Sequence, residues 1–118
     1  MRLVPVVPVQ LQRFGSHGVT VHHPAGTTGE LLTFDGGSSV VIGRLDEGGV
    51  IGRHPTTDLQ LLMVVTGKVV VATDSATAEL IEGQAVLFEP GEQHETRAST
   101  AASIVVFERR VEPHPGGG

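Results

Sequence analysis

Apolar and polar residues alternate in short runs along most of the chain, and glycine or acidic residues separate the runs. Alternation with a period of two is typical of β-strands, whose successive side chains face opposite sides of a sheet. No stretch keeps an apolar period of 3.6 residues for three turns, so long helices are not expected. The pattern predicts strands near Val19–His23, Glu30–Phe34, Val40–Leu45, Gln60–Val65, Val69–Thr73, Ala78–Ile81, Ala85–Phe88, His94–Ala98 and Ser103–Arg109.

Turn residues divide the predicted strands at fairly even spacing. They are grouped at Asp35–Gly37, Asp46–Gly49, Thr66–Gly67, Glu82–Gly83 and Pro90–Gly91. Glycine and acidic residues favour turns because glycine adopts backbone conformations that other residues avoid. Many short strands separated in this way indicate an all-β sandwich or barrel.

Two of the predicted strands are apolar on both faces. Residues 61–65 read Leu-Leu-Met-Val-Val and residues 69–72 read Val-Val-Val-Ala. One face of each can line a core, but the other face must also be covered. The N-terminal arm, a second sheet or a partner subunit could provide the cover. We expect a homodimer, because a second copy of the chain would provide it.

The 118-residue length suits one domain, 1–118, without a second. Residues 1–16 are expected to form an arm or edge strand, because their apolar run is short and two prolines interrupt it. Residues 112–118 are expected to form a flexible tail, since they are rich in proline and glycine. The short apolar run resembles neither a signal peptide nor a membrane span, so a cytoplasmic location is expected.

Composition excludes several classes of function. The chain has no cysteine, which rules out disulfides, thiolate metal sites and a cysteine nucleophile. It has 8 basic and 13 acidic residues, with a net charge of −5, so no partnership with nucleic acid or an anionic membrane is expected. Tryptophan and tyrosine are absent, which argues further against base stacking.

Two spacing patterns in the middle of the chain combine histidine with glycine and proline. The first passes through Gly48, His54, Thr56, Gln60 and Gly67, with five, one, three and six residues between successive members. The second starts at Gly83 and, after five intervening residues, continues as Glu89-Pro90-Gly91-Glu92-Gln93-His94.

In order and separation, these patterns resemble the two motifs of the cupin family. The family's first motif has histidines at the positions of His54 and Thr56 and a glutamate at that of Gln60. Its second motif has proline at the position of Glu89 and ends on a histidine that corresponds to His94. The resemblance implies one cupin-type β-barrel, a double-stranded β-helix or jelly roll.

The resemblance also implies a metal site, which this chain keeps only in part. His54, Gln60 and His94 are the remaining candidate ligands, and the family's site takes a divalent transition metal such as iron, manganese, nickel, copper or zinc. Thr56 offers only a hydroxyl, and Gln60 keeps an oxygen without the charge of a glutamate. We therefore expect metal to bind weakly or not at all. The alternative is that both histidines are polar groups lining a ligand pocket.

A second alignment of the first motif is also open. His54 is followed by Pro55, as the family's second histidine often is, and Gly52 would then stand where the first histidine belongs. This alignment places five residues between His54 and Gln60, one more than the motif allows. The strict spacing is preferred, and His54 survives in both alignments.

The remaining pocket is predicted from strand alternation. Side chains two apart on a strand share a face, so Leu62 and Val64 should face the same cavity as Gln60. Thr96 should share the face of His94, while Glu95 should point away. The full set of predicted pocket-lining residues is Thr56, Leu62, Val64, Val86, Phe88, Thr96 and Ile104.

Three functions fit these observations. The first is a metal-dependent enzyme of the dioxygenase, isomerase or decarboxylase type, as the family resemblance implies. The second is a module that binds a small molecule in a largely apolar pocket. The third is a stable dimeric barrel without retained chemistry. Because two ligand positions have changed, we favour the binding module with a small-molecule ligand.

Overall fold

The computed structural model describes residues 1–109, which form nine β-strands and two short 3₁₀ turns. The strands are β1 (Val6–Gln10), β2 (His17–Pro24), β3 (Ser39–Pro55), β4 (Leu59–Thr66), β5 (Lys68–Thr73), β6 (Thr77–Ile81), β7 (Ala85–Phe88), β8 (Gln93–Ala98) and β9 (Ala102–Arg109). They form one strongly curved sheet that nearly closes into a barrel, so the predicted all-β cupin-type architecture is confirmed. The tail predicted for residues 112–118 lies outside the described residues. Within residues 1–109, no helix has the length and apolar character needed to span a bilayer.

The long strand β3 organises the sheet. Its first half, Ser39 to Leu45, pairs with β9, and its second half, Val50 to Pro55, pairs with β8. The strand order is β6-β5-β8-β3-β9-β4-β7, with β2 also paired to β3 and β1 at the edge beside β2. The single strand β3 therefore pairs with β9 along its first half and with β8 along its second half.

The turn predicted at Asp46–Gly49 does not end a strand. The backbone bulges there but continues as β3, and the pairing with β2 shifts from Val19↔Leu45 to His17↔Val50. Gly48 has a φ of +79°, and a Cβ on Gly49 would lie 2.5 Å from the carbonyl oxygen of Gly18. The glycines therefore permit a bulge and a close approach to β2, where the sequence predicted a turn between strands.

The strand predicted at Glu30–Phe34 is also wrong. Only Leu31 makes an isolated bridge, to Ala25, and the segment then runs irregularly into the 3₁₀ turn Asp35–Gly37. The Leu32 N–H donates to the carbonyl of Pro24, but Pro24 has no N–H to donate in return. The ladder therefore stops after one bridge, despite the suitable local composition.

The core lies between the two halves of the barrel. Its buried side chains come from every strand except β1 and are almost all aliphatic: Val19, Leu45, Leu62, Val64, Val69, Val71, Leu80, Phe88, Ala98, Ala102 and Ile104. Ile104 and Val69 are fully buried, and Phe88 is 1% exposed. Leu62 belongs both to this core and to the lining of the cavity that holds the two histidines.

Candidate functional site

Two histidines meet in a cavity of the barrel. His54 and His94 are direct cross-strand partners in the antiparallel pairing of β3 with β8. Their Nε2 atoms lie 3.1 Å apart, and their ring centroids lie 4.4 Å apart with a 54° tilt between the planes. His94 is buried, with 3% of its surface exposed, whereas His54 is half-buried. Strand pairing thus joins two residues that are forty positions apart in the chain.

The hydrogen bonds define which nitrogen of each ring carries a proton. Nδ1 of His54 lies 2.7 Å from the carbonyl oxygen of Gly52 and must donate to it. In the neutral ring, Nε2 of His54 is then an acceptor, and Nε2–H of His94 donates to it. Nδ1 of His94 is consequently a lone-pair acceptor, and it is buried without a hydrogen-bond partner among the described residues.

Burial sets the charge of His94. Burial and, to a smaller extent, the neighbouring His54 lower the pKa of His94 from its ordinary value of 6.5 to about 4, while Glu92 opposes the shift. A charged imidazolium is disfavoured there because the surrounding groups cannot replace its lost hydration. His94 is therefore neutral at pH 7, and it acts there as a neutral donor and acceptor.

Aromatic rings hold both imidazoles in place. Phe88, from β7, meets the His94 ring edge-on, with centroids 4.0 Å apart. Phe14, from the 3₁₀ turn Arg13–Gly15, stacks flat on the His54 ring at 4.6 Å with only 10° between the planes. Phe14 is the only non-glycine residue with positive φ, at 60°, in the described part of the chain. This strained conformation persists because the turn is packed against β3.

Gly52 lets the turn approach this closely. A Cβ on Gly52 would lie 1.7 Å from the carbonyl oxygen of Phe14, and the Gly52 N–H donates to Oγ of the buried Ser16 at 2.9 Å. Strand alternation within β3 gave no indication of this contact, because the turn is 36 residues or more away in sequence. The N-terminal segment therefore supplies part of the site.

A second polar pair lies in the same cavity. Gln60 of β4 and Glu108 of β9 are cross-strand partners, and the Gln60 amide Nε2 donates to the Glu108 carboxylate at 2.6 Å. Sequence reasoning missed Glu108. Its two-residue spacing from Val106 and Ile104, both on the inner face of β9, was the available signal. The cavity thus contains a carboxylate beside the glutamine that replaces the family's glutamate.

The cavity has a volume of about 360 Å³. Its polar lining includes both histidines, Gln60, Glu108, Thr96 and Arg13, and its apolar lining comprises Leu11, Phe14, Val21, Leu31, Val41, Ile51, Leu62 and Val106. Of the site residues predicted from the sequence, four line this cavity together with His54: Gln60, Leu62, His94 and Thr96.

Four of the predicted lining residues lie elsewhere. Val64, Phe88 and Ile104 belong to the buried core below the cavity, because β4 and β9 carry successive inward side chains to different depths. Val86 and Phe88 border a separate depression of about 190 Å³ beside Val71. Alternation predicted the inward face correctly, but depth along the barrel axis depends on how the strands are staggered.

Thr56 does not line the cavity either. Strand β3 ends at Pro55, so strand alternation does not extend to Thr56. Its buried hydroxyl donates to the carbonyl oxygen of Glu92 at 2.8 Å, and its backbone exchanges hydrogen bonds with Glu92 and Gly91. This placement favours the second motif alignment, in which Gly52 stands in the first-histidine position, where the Phe14 turn occupies the space that a side chain would need.

The acidic neighbours of His94 are already engaged. The Glu95 carboxylate binds Arg53 at 2.9 Å, and the Glu92 carboxylate accepts the N–H of Glu89 at 2.7 Å. No group of three or more histidine, aspartate or glutamate side chains in residues 1–109 is placed to hold a metal ion. The Nε2 separation of 3.1 Å is nevertheless compatible with two cis ligands, subtending roughly 100° at a metal about 2.05 Å from each. The two Nε2 atoms therefore have the spacing of a two-imidazole site, but the residues do not fit the family's fuller ligand set.

Solved structures show which proteins share this barrel. A cupin-2 domain protein from Rhodospirillum rubrum is 15% identical, with a TM-score of 0.71, covering 94% of this chain and 74% of its own. An RmlC-like cupin from Shewanella frigidimarina is 16% identical, with a TM-score of 0.69 and coverages of 92% and 86%. A predicted oxalate decarboxylase from Thermotoga maritima is 14% identical, with a TM-score of 0.70 and coverages of 92% and 94%. At these identities, the likeness shows the fold alone.

The comparison with curated proteins found no match. The cupin domain family model matches residues 41–108, which is more than half of the chain and includes both histidines. This confirms the resemblance inferred from the two motifs. The chain belongs to the cupin family.

Proposed function

We propose that this cupin binds a small, largely apolar molecule in the cavity, with the polar group of that molecule beside the His54–His94 pair. The cavity of about 360 Å³ carries the proposal, because it combines mainly aliphatic walls with two polar pairs. Small-molecule sites in proteins have volumes of about 300–1,000 Å³ and the same division between apolar walls and few polar groups. The volume is at the lower end of that range, which favours a compact ligand.

The polar groups favour a ligand that donates hydrogen bonds. The Glu108 carboxylate can only accept, and His94, which is neutral at pH 7, carries no positive charge to attract an anion. Arg13 lines the mouth, where its guanidinium lies over the Phe14 ring at 4.8 Å. A hydroxyl or amino group on an apolar body matches this lining better than a carboxylate does.

Binding of simple probes tests the proposal. The probes are hexan-1-ol, hexylamine and hexanoate, which share a chain and differ in the head group. We expect the alcohol and the amine to shift the NMR signals of His94 and Thr96, and hexanoate to bind at least ~10-fold more weakly because Glu108 repels it. A Val106→Phe variant should abolish binding by filling the cavity, whereas Ile81→Phe, on an exposed site of β6, should not. Probe binding that survives Val106→Phe would refute the proposal.

A metal-dependent enzyme is the second candidate, and the 3.1 Å Nε2 separation is the observation that favours it. A divalent transition metal held by His54 and His94 would supply Lewis-acid or oxygen-activating chemistry. His54 is oriented for this, since its Nδ1–H already donates to the Gly52 carbonyl. His94 is not, because freeing its Nε2 moves the proton to Nδ1, which is buried without an acceptor among the described residues. An unpaired buried donor costs about 1–3 kcal/mol, which favours ligand binding over metal.

Metal analysis separates the two candidates. Tag-free protein purified without added metal should contain less than stoichiometric iron, manganese, nickel, copper or zinc. Stoichiometric metal that disappears in a His54→Ala, His94→Ala double variant would support the enzyme instead. The probe titrations above, repeated on metal-depleted protein, should give unchanged affinities if the site binds its ligand without a metal.

A further inference from the structure

The ligand cavity contains charges of both signs that the protein leaves uncompensated. Besides the two histidines, its acidic and basic lining residues are Arg13, Glu95 and Glu108. Glu95 is compensated by its ion pair with Arg53 at 2.9 Å. Neither Arg13 nor Glu108 forms an ion pair with another residue in the described part of the chain. One positive and one negative group are therefore left for a ligand.

The Glu108 carboxylate keeps one oxygen for a ligand. Its Oε1 accepts from the Gln60 amide at 2.6 Å, and its Oε2 has no hydrogen-bond donor among residues 1–109. Glu108 is half-buried and lies two residues from Val106, which belongs to the apolar wall of the cavity. Hydrogen bonds between charged groups are roughly twice as strong as those between neutral groups. An ammonium group therefore matches this end of the cavity better than a hydroxyl group does.

The docked N-terminal turn supplies the positive charge. The Arg13 guanidinium lies 4.8 Å from the centroid of the Phe14 ring, and the Arg13 carbonyl accepts the N–H of Ser16 at 3.0 Å. The Ser16 hydroxyl in turn accepts the N–H of Gly52 on β3. A guanidinium presents its N–H donors in a planar fork that matches the two oxygens of a carboxylate. The turn therefore presents an anion-binding group at the mouth of the cavity.

A row of side chains separates the two charges. Between Arg13 and Glu108, successive members of this row are stacked, hydrogen-bonded or cross-strand neighbours: Phe14, His54, His94, Phe88 and Gln60. All of them except Phe88 line the cavity. Because the row keeps Arg13 and Glu108 apart, they do not neutralise each other, but one molecule lying along the cavity can contact both.

We propose that the ligand of this cavity is a short amino acid-like molecule, with an ammonium group at Glu108 and a carboxylate at Arg13. This inference rests on the proposed function, because it names the ligand class of the same cavity. The aliphatic walls would hold the carbon chain between the two charged groups. A lone amine compensates only Glu108, and a lone carboxylate compensates only Arg13 while Glu108 repels it. Only a molecule with both groups compensates both charges.

A comparison of 6-aminohexanoate with hexylamine tests the ligand class. The two probes share the ammonium group and a six-carbon chain, and only the first carries a carboxylate. In NMR titrations at low salt, 6-aminohexanoate should bind ~3–5-fold more tightly, which is the contribution of a solvent-exposed ion pair. Sodium chloride at about 1 M should remove most of this gain, because it screens exposed charges.

Arg13→Gln should remove the preference for 6-aminohexanoate, because it deletes the partner of the carboxylate. Arg44→Gln is the matched control, since it removes the same charge from an exposed site on β3 outside the cavity, and it should keep the wild-type preference. Nuclear Overhauser contacts should place the carboxylate end of bound 6-aminohexanoate beside Phe14 and its ammonium end beside Val106. Far-UV circular dichroism checks that both variants are folded.

Failure of this inference differs from failure of the proposed function. If hexylamine binds and 6-aminohexanoate binds no more tightly, the ligand class is wrong and the proposed function stands. If neither hexylamine nor hexan-1-ol binds, the proposed function is wrong and the ligand class is lost with it. A preference that survives Arg13→Gln, or a bound molecule with its ammonium end beside Phe14, would also overturn the inference.

Discussion

Replacing Gly52 by alanine should release the N-terminal turn from the site. The new Cβ would lie 1.7 Å from the backbone carbonyl oxygen of Phe14, a distance that no side-chain rotation can relieve. The turn must therefore move by about 1.5 Å or more to restore ordinary van der Waals contact. That movement separates Phe14 from His54 and breaks the hydrogen bond from the Gly52 N–H to Ser16.

The free energy of unfolding should fall by ~1–2 kcal/mol. Losing the stacked ring pair costs about 0.5–1.5 kcal/mol, and losing the hydrogen bond to Ser16 costs about 0.5–1.5 kcal/mol. Alanine returns about 0.5–1 kcal/mol, because it restricts the unfolded chain more than glycine does. In an ordinary strand position the same substitution would stabilise the protein, so the sign of the change is the informative quantity.

Urea unfolding followed by circular dichroism measures this change. Ser16→Ala is the companion variant, because it removes the hydrogen bond without a clash. Since both substitutions release the same turn, the double variant should lose less stability than the sum of the two single losses. A neutral or stabilising Gly52→Ala, or strict additivity with Ser16→Ala, would refute the docked turn as the reason for glycine at this position.

Three further predictions concern the polar groups of the barrel. Because the pKa of His94 is lowered to about 4, the unfolded chain takes up a proton between pH 6.5 and 4 that the folded chain does not. The free energy of unfolding should therefore be unaffected by this proton above pH 6.5 and should fall by ~3 kcal/mol by pH 4. This fall should be missing when urea unfolding of His94→Gln is measured against pH. Gln60→Glu should place two carboxylates in contact and lower stability at pH 7 by ~1–2 kcal/mol, and adding Glu108→Gln should restore it in the same unfolding assay. Thr56→Val should cost ~1 kcal/mol by removing the hydrogen bond to Glu92, yet leave hexan-1-ol affinity unchanged in NMR titrations, because Thr56 does not line the cavity; weaker probe binding would contradict that placement.

Local sequence patterns predicted most of the fold. Alternation located eight of the nine predicted strands, and the spacing of the two histidine motifs identified the family. Strand alternation is a local pattern and motif spacing depends only on order along the chain, so both can be read from a single sequence. The same motifs named His54 and His94, and β3–β8 pairing makes them direct partners.

Contacts with distant segments determined the structure of two regions that the local pattern mispredicted. Residues 30–34 have the composition of a strand, but Pro24 cannot return the hydrogen bond that would extend the ladder. The glycines near position 48 have the composition of a turn, but β2 continues alongside them and makes them a bulge. In both cases a distant segment determined whether the local preference was realised.

The residue pattern alone was enough to predict a cupin barrel with His54 and His94 together and a weakened ligand set. Only the tertiary structure placed Phe14 on His54, Glu108 beside Gln60 and Thr56 outside the cavity. Strand alternation tells which side of a sheet a residue faces, but not how deep it lies or which distant segment packs on it. Those positions depend on strand stagger and on contacts between segments far apart in the chain, which exist only once the barrel has formed.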